Sequence, residues 1–213
     1  MKHSRLLIAL SAAAMATGCA TLPSSTELDA QALAMIKASF RDQGIAKLDR
    51  LSQDLGQSAC SDEKPPSAEV AARVEAEALA SIQWPTGGQY VGDWREGEKL
   101  AQNGRGMTWT DANAATSGNG AQCYNCHQID QKEISYGNIG PSLWNYGKLR
   151  GVSNVTDAAS APIVQYTWGK LWNSKAYSAC SNMPRFGHAK LLDEQQIRHL
   201  MALLLDPQSP VNK

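Results

Sequence analysis

"CYNCHQID", residues Cys123 to Asp130, is the stretch on which the reading of this chain turns. Two cysteines three apart, with a histidine directly after the second, admit three chemistries. A structural zinc site needs four ligands, usually two such pairs. Only Cys60 and Cys180 are left to complete one, at wide and isolated spacings. A thioredoxin-like dithiol opens a helix after a strand in an α/β pattern, and no such alternation surrounds Cys123. Covalent haem matches the rest. Thiols three apart on one turn can each form a thioether to a vinyl group, which points the following imidazole beneath the ring. The expected cofactor is one haem c, held by Cys123 and Cys126, with His127 on the iron.

The next question is the second axial ligand. Met107, Met183, Met201, His188 and His199 are the choices. Met201 belongs to the apolar stripe of the last helix, and His199 is expected to be solvated on the opposite side of it. Met107 precedes the CxxCH, whereas small cytochromes lay the proximal ligand first and return a loop across the other face. Met183, in "SNMPRFGH", lies in such a loop, with Pro184 fixing the backbone beside it. Met183 is the preferred ligand, with His188 and Met107 as alternatives. A thioether favours ferrous iron, and two filled axial positions suit electron transfer rather than substrate binding.

Outward from this centre the pattern is helical. Leu33, Ile36 and Phe40, then Leu48, Leu51 and Leu55 after Gly44, fall on single faces of a helical stretch ending near Gln57. Pro65 and Pro66 break the chain. Ser67 caps a second helix, to about Gln83, that buries Val70, Val74, Ala78 and Ile82. Asp93 with Glu96 caps a third, with Trp94, Leu100 and Ala101 as its stripe and Gly104 as its stop. Residues 104–190 are rich in Gly, Asn, Ser and Thr and predict loops and short helices. The last helix starts at Asp193 with Gln196 at N3, buries Ile197, Leu200, Met201, Leu204 and Leu205, and stops at Asp206-Pro207. Some 90 irregular residues between two helices make a poor core alone, since ordering each costs roughly 1–2 kcal/mol of backbone entropy. A large apolar cofactor fills that need.

The first residues set the compartment. "MKHSRLLIALSAAAMATGCA" has a basic start, an apolar run and small residues around Cys19, which reads as an export signal. Ala16-Thr17-Gly18-Cys19 resembles a bacterial lipobox, although Leu or Val is usual where Ala16 stands. Lipidation of Cys19 is expected, giving a periplasmic chain anchored to the membrane. Of the five cysteines, Cys19 is then taken by lipid and the CxxC pair by haem. That leaves Cys60 and Cys180 to pair as a disulfide, as an oxidising compartment allows. Lys plus Arg and Asp plus Glu both number 20, so nucleic acid has no electrostatic case as a bulk partner.

"GNIGPSLWNYGKLRG" (137–151), "MPRFGH" (183–188) and "LLDPQSPVN" (204–212), in this order around CYNCHQ, resemble the SoxX family, small c-type cytochrome subunits of the thiosulfate-oxidising SoxXA complex. The likeness covers roughly residues 90–212. It implies an all-α, class I cytochrome c-like domain over 84–213. Residues 20–83, after the signal at 1–19, read as a helical extension packed on that domain, because their apolar faces must be covered. The resemblance also implies a heterodimer with a SoxA-type cytochrome c, which carries the catalytic haem of an L-cysteine S-thiosulfotransferase. That complex joins thiosulfate to a cysteine of the carrier SoxYZ, and this chain would pass electrons to a small acceptor cytochrome c. No catalytic residue falls on this chain. The resemblance further places Pro141 beside the proximal ligand, its carbonyl accepting from His127 Nδ1–H.

Other residues are weighed with the haem surroundings. Lys148, Arg150 and Arg185 are candidates for the haem propionates or the SoxA surface, with ordinary solvated charge as the other reading. Trp144, Tyr146, Trp168 and Trp172 are candidates for the haem wall, with core packing as the other. A Cys60–Cys180 bridge would restrain the Met183 loop. The competing functions are a free-standing periplasmic carrier, against which neutral charge counts because carriers steer by charged faces, and a haem sensor or enzyme with an open iron position.

Overall fold

The structure, a computed structural model, describes residues 22–213. The expected signal over 1–19 and lipidation at Cys19 lie outside the described residues. Two compact units follow, residues up to Arg41 and Asp42–Lys213; the expected division between 83 and 84 falls inside the second. Among the described residues every regular element is a helix, with one isolated bridge between Gln43 and Ala46. The chain is all-α over these residues.

In the first unit, α1 (Ser25–Ser39) starts at Ser24, whose hydroxyl accepts from the Glu27 N–H while the Glu27 carboxylate accepts from the Ser24 N–H. This reciprocal pair satisfies two of the amides that a helix start leaves open. Leu33, Ile36 and Phe40 are exposed.

In the second unit, the single helical face expected from Leu48 to Leu55 does not form. Gly44 adopts φ 55° and the Gln43–Ala46 bridge turns the chain. Leu48–Leu51 is a 3₁₀ turn, and Asp54 then caps a separate short helix, α2 (Leu55–Ala59), through a capping box with Gln57. A strong N-cap in mid-run starts a new helix rather than continuing one. The next helix, α3 (Ala68–Ala80), buries Val74 and Ala78, with Ile82 just beyond its end at Ser81.

The main helical pair is α4 (Trp94–Gln102) and α7 (Glu194–Leu205). The capping box at the start of α7 is the expected one, Asp193 with Gln196. The helices meet at Gly97, where a Cβ would collide with the His199 carbonyl. His199 is half-buried rather than free in solvent: its Nδ1 accepts from the Asp93 N–H at 2.8 Å, lending α4 a second cap from α7. Burial on α7 is wider than a stripe, since Ala202 and Leu203 are buried beside the expected residues. Both sides of α7 are therefore covered.

Between these helices run α5 (Tyr146–Leu149) and α6 (Ala161–Trp172). A helix as long as α6 was not expected within 104–190. Its Val164, Thr167, Trp168 and Leu171 are all buried at helical spacing, and the polar Thr167 hides the stripe from a purely apolar count. The Thr167 hydroxyl donates to Ile163 O at 2.7 Å and stands 2.9 Å from the Tyr146 hydroxyl. Trp168 is fully buried, its indole N–H donating to Gln83 O. The last described residues lock onto α5: Asn212 Oδ1 accepts from the Gly147 and Lys148 N–H groups, and its amide donates to Leu204 O and Asp206 O.

Candidate functional site

The second unit holds an open-sided cavity of about 460 Å³, lined largely by apolar side chains from the CYNCH turn, α6, the Met183 loop and α7. The volume lies within the ~300–1,000 Å³ of typical ligand and cofactor sites. Cys123, Cys126, His127, Pro141, Arg150 and Met183 all line it.

The proximal wall is built by backbone. Cys123–Asn125 form a 3₁₀ turn, entered through Gln122 in the left-handed region at φ 45°. A strap over 137–143 then runs back along the turn. Gly137 N–H donates to Tyr124 O, Gly140 N–H to Cys126 O and Leu143 N–H to Gln128 O, at 2.7–2.8 Å. Glycine is required where the strap touches, because a Cβ at Gly140 would enter the His127 ring and one at Gly137 would meet Asn125 O. The strap carries Pro141, whose carbonyl stands 2.7 Å from His127 Nδ1. A carbonyl only accepts, so Nδ1 carries the proton and the Nε2 lone pair is left for coordination.

Cys123 and Cys126 are unpaired thiols. Desolvation against the apolar wall pushes the Cys123 thiol up to about 12. A redox dithiol needs the opposite, a thiol lowered toward neutrality. Cys60 and Cys180 are joined to each other by a disulfide, so they cannot complete a zinc site with this pair.

Met183, half-buried, lines the same cavity from a loop between the 3₁₀ turn Ser174–Tyr177 and α7. Its carbonyl accepts from the Ser174 hydroxyl at 2.6 Å and its N–H donates to Ser181 Oγ at 3.3 Å. Distant segments fix the loop. The Cys60–Cys180 disulfide ties it to the end of α2, Ala179 N–H donates to the Glu75 carboxylate at 3.1 Å, and Arg185 pairs with Asp54 at 2.6 Å.

The other candidate residues scatter. Arg150 lines the cavity, its guanidinium 3.8 Å above the Tyr146 ring, and Tyr146 lines it too. Arg185 does not; its charge is taken by Asp54. Trp144 is half-buried away from the cavity lining, and Lys148 is exposed. Trp168 and Trp172 stack on each other with centroids 6.0 Å apart and pack in the core behind the wall, Trp172 against Gly187. Of the alternative ligands, His188 turns to Ser81 Oγ at 3.2 Å, Met201 is core, and Met107, at φ 60°, lines a smaller pocket beside Cys126 and Pro184.

Lys170 and Tyr166, on the cavity face of α6, were missed in the sequence. The signal was present: with Leu171 and Thr167 they share the face that marks α6 as a helix. Lys170 Nζ donates to Ser174 O at 3.1 Å, and burial lowers its pKa. Arg150 and Lys170 thus put two cations on a largely apolar wall. Two free thiols, an imidazole oriented through Nδ1, a thioether and these cations fit a covalent haem with its two carboxylates.

No protein-family model matches the chain. It is 36% identical over 167 residues, 76% of its own length and 74% of the relative's, to an uncharacterized lipoprotein of Aquifex aeolicus (strain VF5). The chain belongs to the family of that uncharacterized lipoprotein.

Proposed function

We propose that this chain is a monohaem c-type cytochrome that transfers electrons, with Cys123 and Cys126 as the covalent attachment and His127 and Met183 as the axial pair. One observation carries the reading: both thiols, the imidazole with its Nδ1 committed to Pro141, and the thioether line one apolar cavity of about 460 Å³. A haem bound there supplies reversible one-electron chemistry at iron. The chain's own residues do the rest. The strap holds the His127 ring, the Pro141 carbonyl raises its basicity, Ser174 and the disulfide hold the Met183 backbone, and the apolar wall excludes water. Arg150 and Lys170 offer charge to the propionates. The class I cytochrome c-like arrangement belongs to this proposal; it is supported by α4 and α7 packing at Gly97 and by the Leu200, Leu203 and Leu204 side chains that α7 sends into the cavity.

The finer proposal is a SoxX-like subunit that takes electrons from a SoxA-type partner acting on SoxYZ-bound thiosulfate. Its support is that the resembling segments 137–151 and 183–188 supply the proximal strap and the Met183 loop. Anchoring through Cys19 and a periplasmic location are proposed from the Ala16–Cys19 motif and from the relative's being called a lipoprotein. The test is purification of the exported full-length protein. A pyridine haemochrome spectrum of c-type haem, lost in Cys123→Ser/Cys126→Ser, is expected. Carbon monoxide should bind reduced Met183→Ala readily and the parent poorly; ready binding by the parent sinks the relay. One-to-one elution with a second c-type cytochrome supports the complex, and elution alone favours the free carrier. Loss of membrane association in Cys19→Ser is the check on the anchor.

A further inference from the structure

Lys175 is a charge without an evident counter-ion. It is buried, at 8% exposure, and among the described residues no carboxylate lies within ion-pair distance of it. The two acids nearest in function are engaged elsewhere, Asp54 by Arg185 and Glu75 by the Ala179 N–H. The Lys175 ammonium donates to Ala179 O at 2.8 Å and to Gly56 O at 3.3 Å, and its third neighbour, at 3.8 Å, is Cys60 Sγ. Gly56 leaves the space for it, since a Cβ there would stand 2.9 Å from Lys175 Cδ. The lysine is therefore seated against one sulfur of the Cys60–Cys180 disulfide. Its partner Cys180 belongs to an exposed residue position.

Burial disfavours the Lys175 cation, the Arg185 charge adds to that penalty, and the Asp54 carboxylate, already paired with Arg185, offsets it only in part. A thiolate at Cys60 would supply a further anion. An ammonium 3.8 Å from Cys60 Sγ would stabilise negative charge leaving on that sulfur, which favours the reduced state and speeds thiol–disulfide exchange. We infer that the Cys60–Cys180 disulfide is a reversible, thiol-exchangeable latch, with Lys175 as the residue that stabilises the departing Cys60 thiolate.

The co-reactant is an exported dithiol reductant. Its thiolate attacks Cys180 Sγ, the S–S bond breaks, and the electron pair leaves on Cys60 Sγ opposite the Lys175 ammonium. The second thiol of the reductant then attacks the mixed disulfide and releases Cys180 as a thiolate, which takes up a proton. The reductant is oxidised by two electrons and the latch reduced by two. Opening frees the loop that carries Met183, three residues beyond Cys180. That last coupling, unlike the exchange itself, rests on the proposed role of Met183.

The full-length protein is equilibrated in glutathione redox buffers, trapped with a maleimide and mapped at Cys60 and Cys180. Lys175→Met should shift the equilibrium about tenfold toward the disulfide, equivalent to roughly 30 mV for two electrons, and Lys175→Arg should restore it. A Met variant at the parent's equilibrium overturns the latch. Should Lys175→Met fail to fold, the reduced parent decides: Cys60 must alkylate with a lower apparent pKa than Cys180, and the reverse order refutes the proposal. With the opened thiols alkylated and the haem then reoxidised by ferricyanide, the Met-to-ferric charge-transfer band should be weaker than in the closed protein. A band that persists unchanged removes the coupling to Met183. A band absent from the start removes Met183 as the iron ligand and leaves the exchange result standing.

Discussion

The two walls of the cavity are held in different ways. The His127 side is fastened by its neighbours in sequence: the strap whose Pro141 carbonyl accepts from the ring lies 14 residues on, and three backbone hydrogen bonds pin it to the turn. The Met183 side is fastened by strangers. Its disulfide spans 120 residues, its Arg185–Asp54 pair 131 and its Ala179–Glu75 hydrogen bond 104. A wall made locally carries its instructions in a short motif. A wall made by long-range ties depends on a segment, 54–75, that a reading of the motif never touches.

The comparison is easiest to break at the helices both walls share. Gly97→Val forces α4 off the His199 carbonyl with nothing flexible to yield, and should cost at least ~4 kcal/mol in urea unfolding, in the exceptional tail of point mutants. Both walls should loosen together under limited proteolysis; a variant that frees one wall alone denies the shared support.

Removing the disulfide comes next. Cys60→Ser/Cys180→Ser should cost about 4 kcal/mol, because the closed loop is long. Hydrogen exchange should rise in 178–185 and stay unchanged in 123–143. Equal rises on both sides would erase the distinction between the walls.

Gly140→Ala tests the local wall. Overpacking against the His127 ring should cost about 1–3 kcal/mol and shift the His127 imidazole signals in NMR. Hydrogen exchange in 178–185 should stay unchanged.

The smallest effect is at Asp54, which caps α2 and pairs with Arg185. Desolvation opposes ionisation there, but the Arg185 hydrogen bond, the Gln57 N–H and the Arg185 charge together hold the carboxyl below its usual range. A depressed folded pKa means stability present above the unfolded value, ~3.9, and lost as pH falls through the folded one. Asp54→Ala should cost about 1 kcal/mol at pH 7, Asp54→Asn less because the cap survives. The deficit of Asp54→Asn should shrink below about pH 4, as read by urea midpoints against pH.

The same contrast explains what was legible. Asp193-Gln196 and Ser67 announced their helices because caps act within one turn. The CYNCH turn pointed to the cavity because the proposed attachment and ligation would be written in five adjacent residues. The Cys60–Cys180 pair followed from counting cysteines, not from any local cue. Lys170 and Tyr166 stayed hidden because Thr167 masks the stripe of α6, and its polarity is satisfied only by the Tyr146 hydroxyl and its own helix backbone. Arg185 misled because a cation beside a ligand loop suggests propionates, while its true partner lies 131 positions earlier. The break after Gly44 needed a left-handed turn that hydrophobic spacing does not register.

The strap's glycines carry a consequence for the order of assembly. Short-range closure is fast, and closure over a hundred residues is slower and entropically dearer. The His127 half of the cavity should therefore form early in folding, as an open half-shell, with the Met183 loop arriving last. Pulse-labelled exchange during refolding should show the 137–143 amides protected before those of 179–186, so that whatever fills the cavity enters from the methionine side.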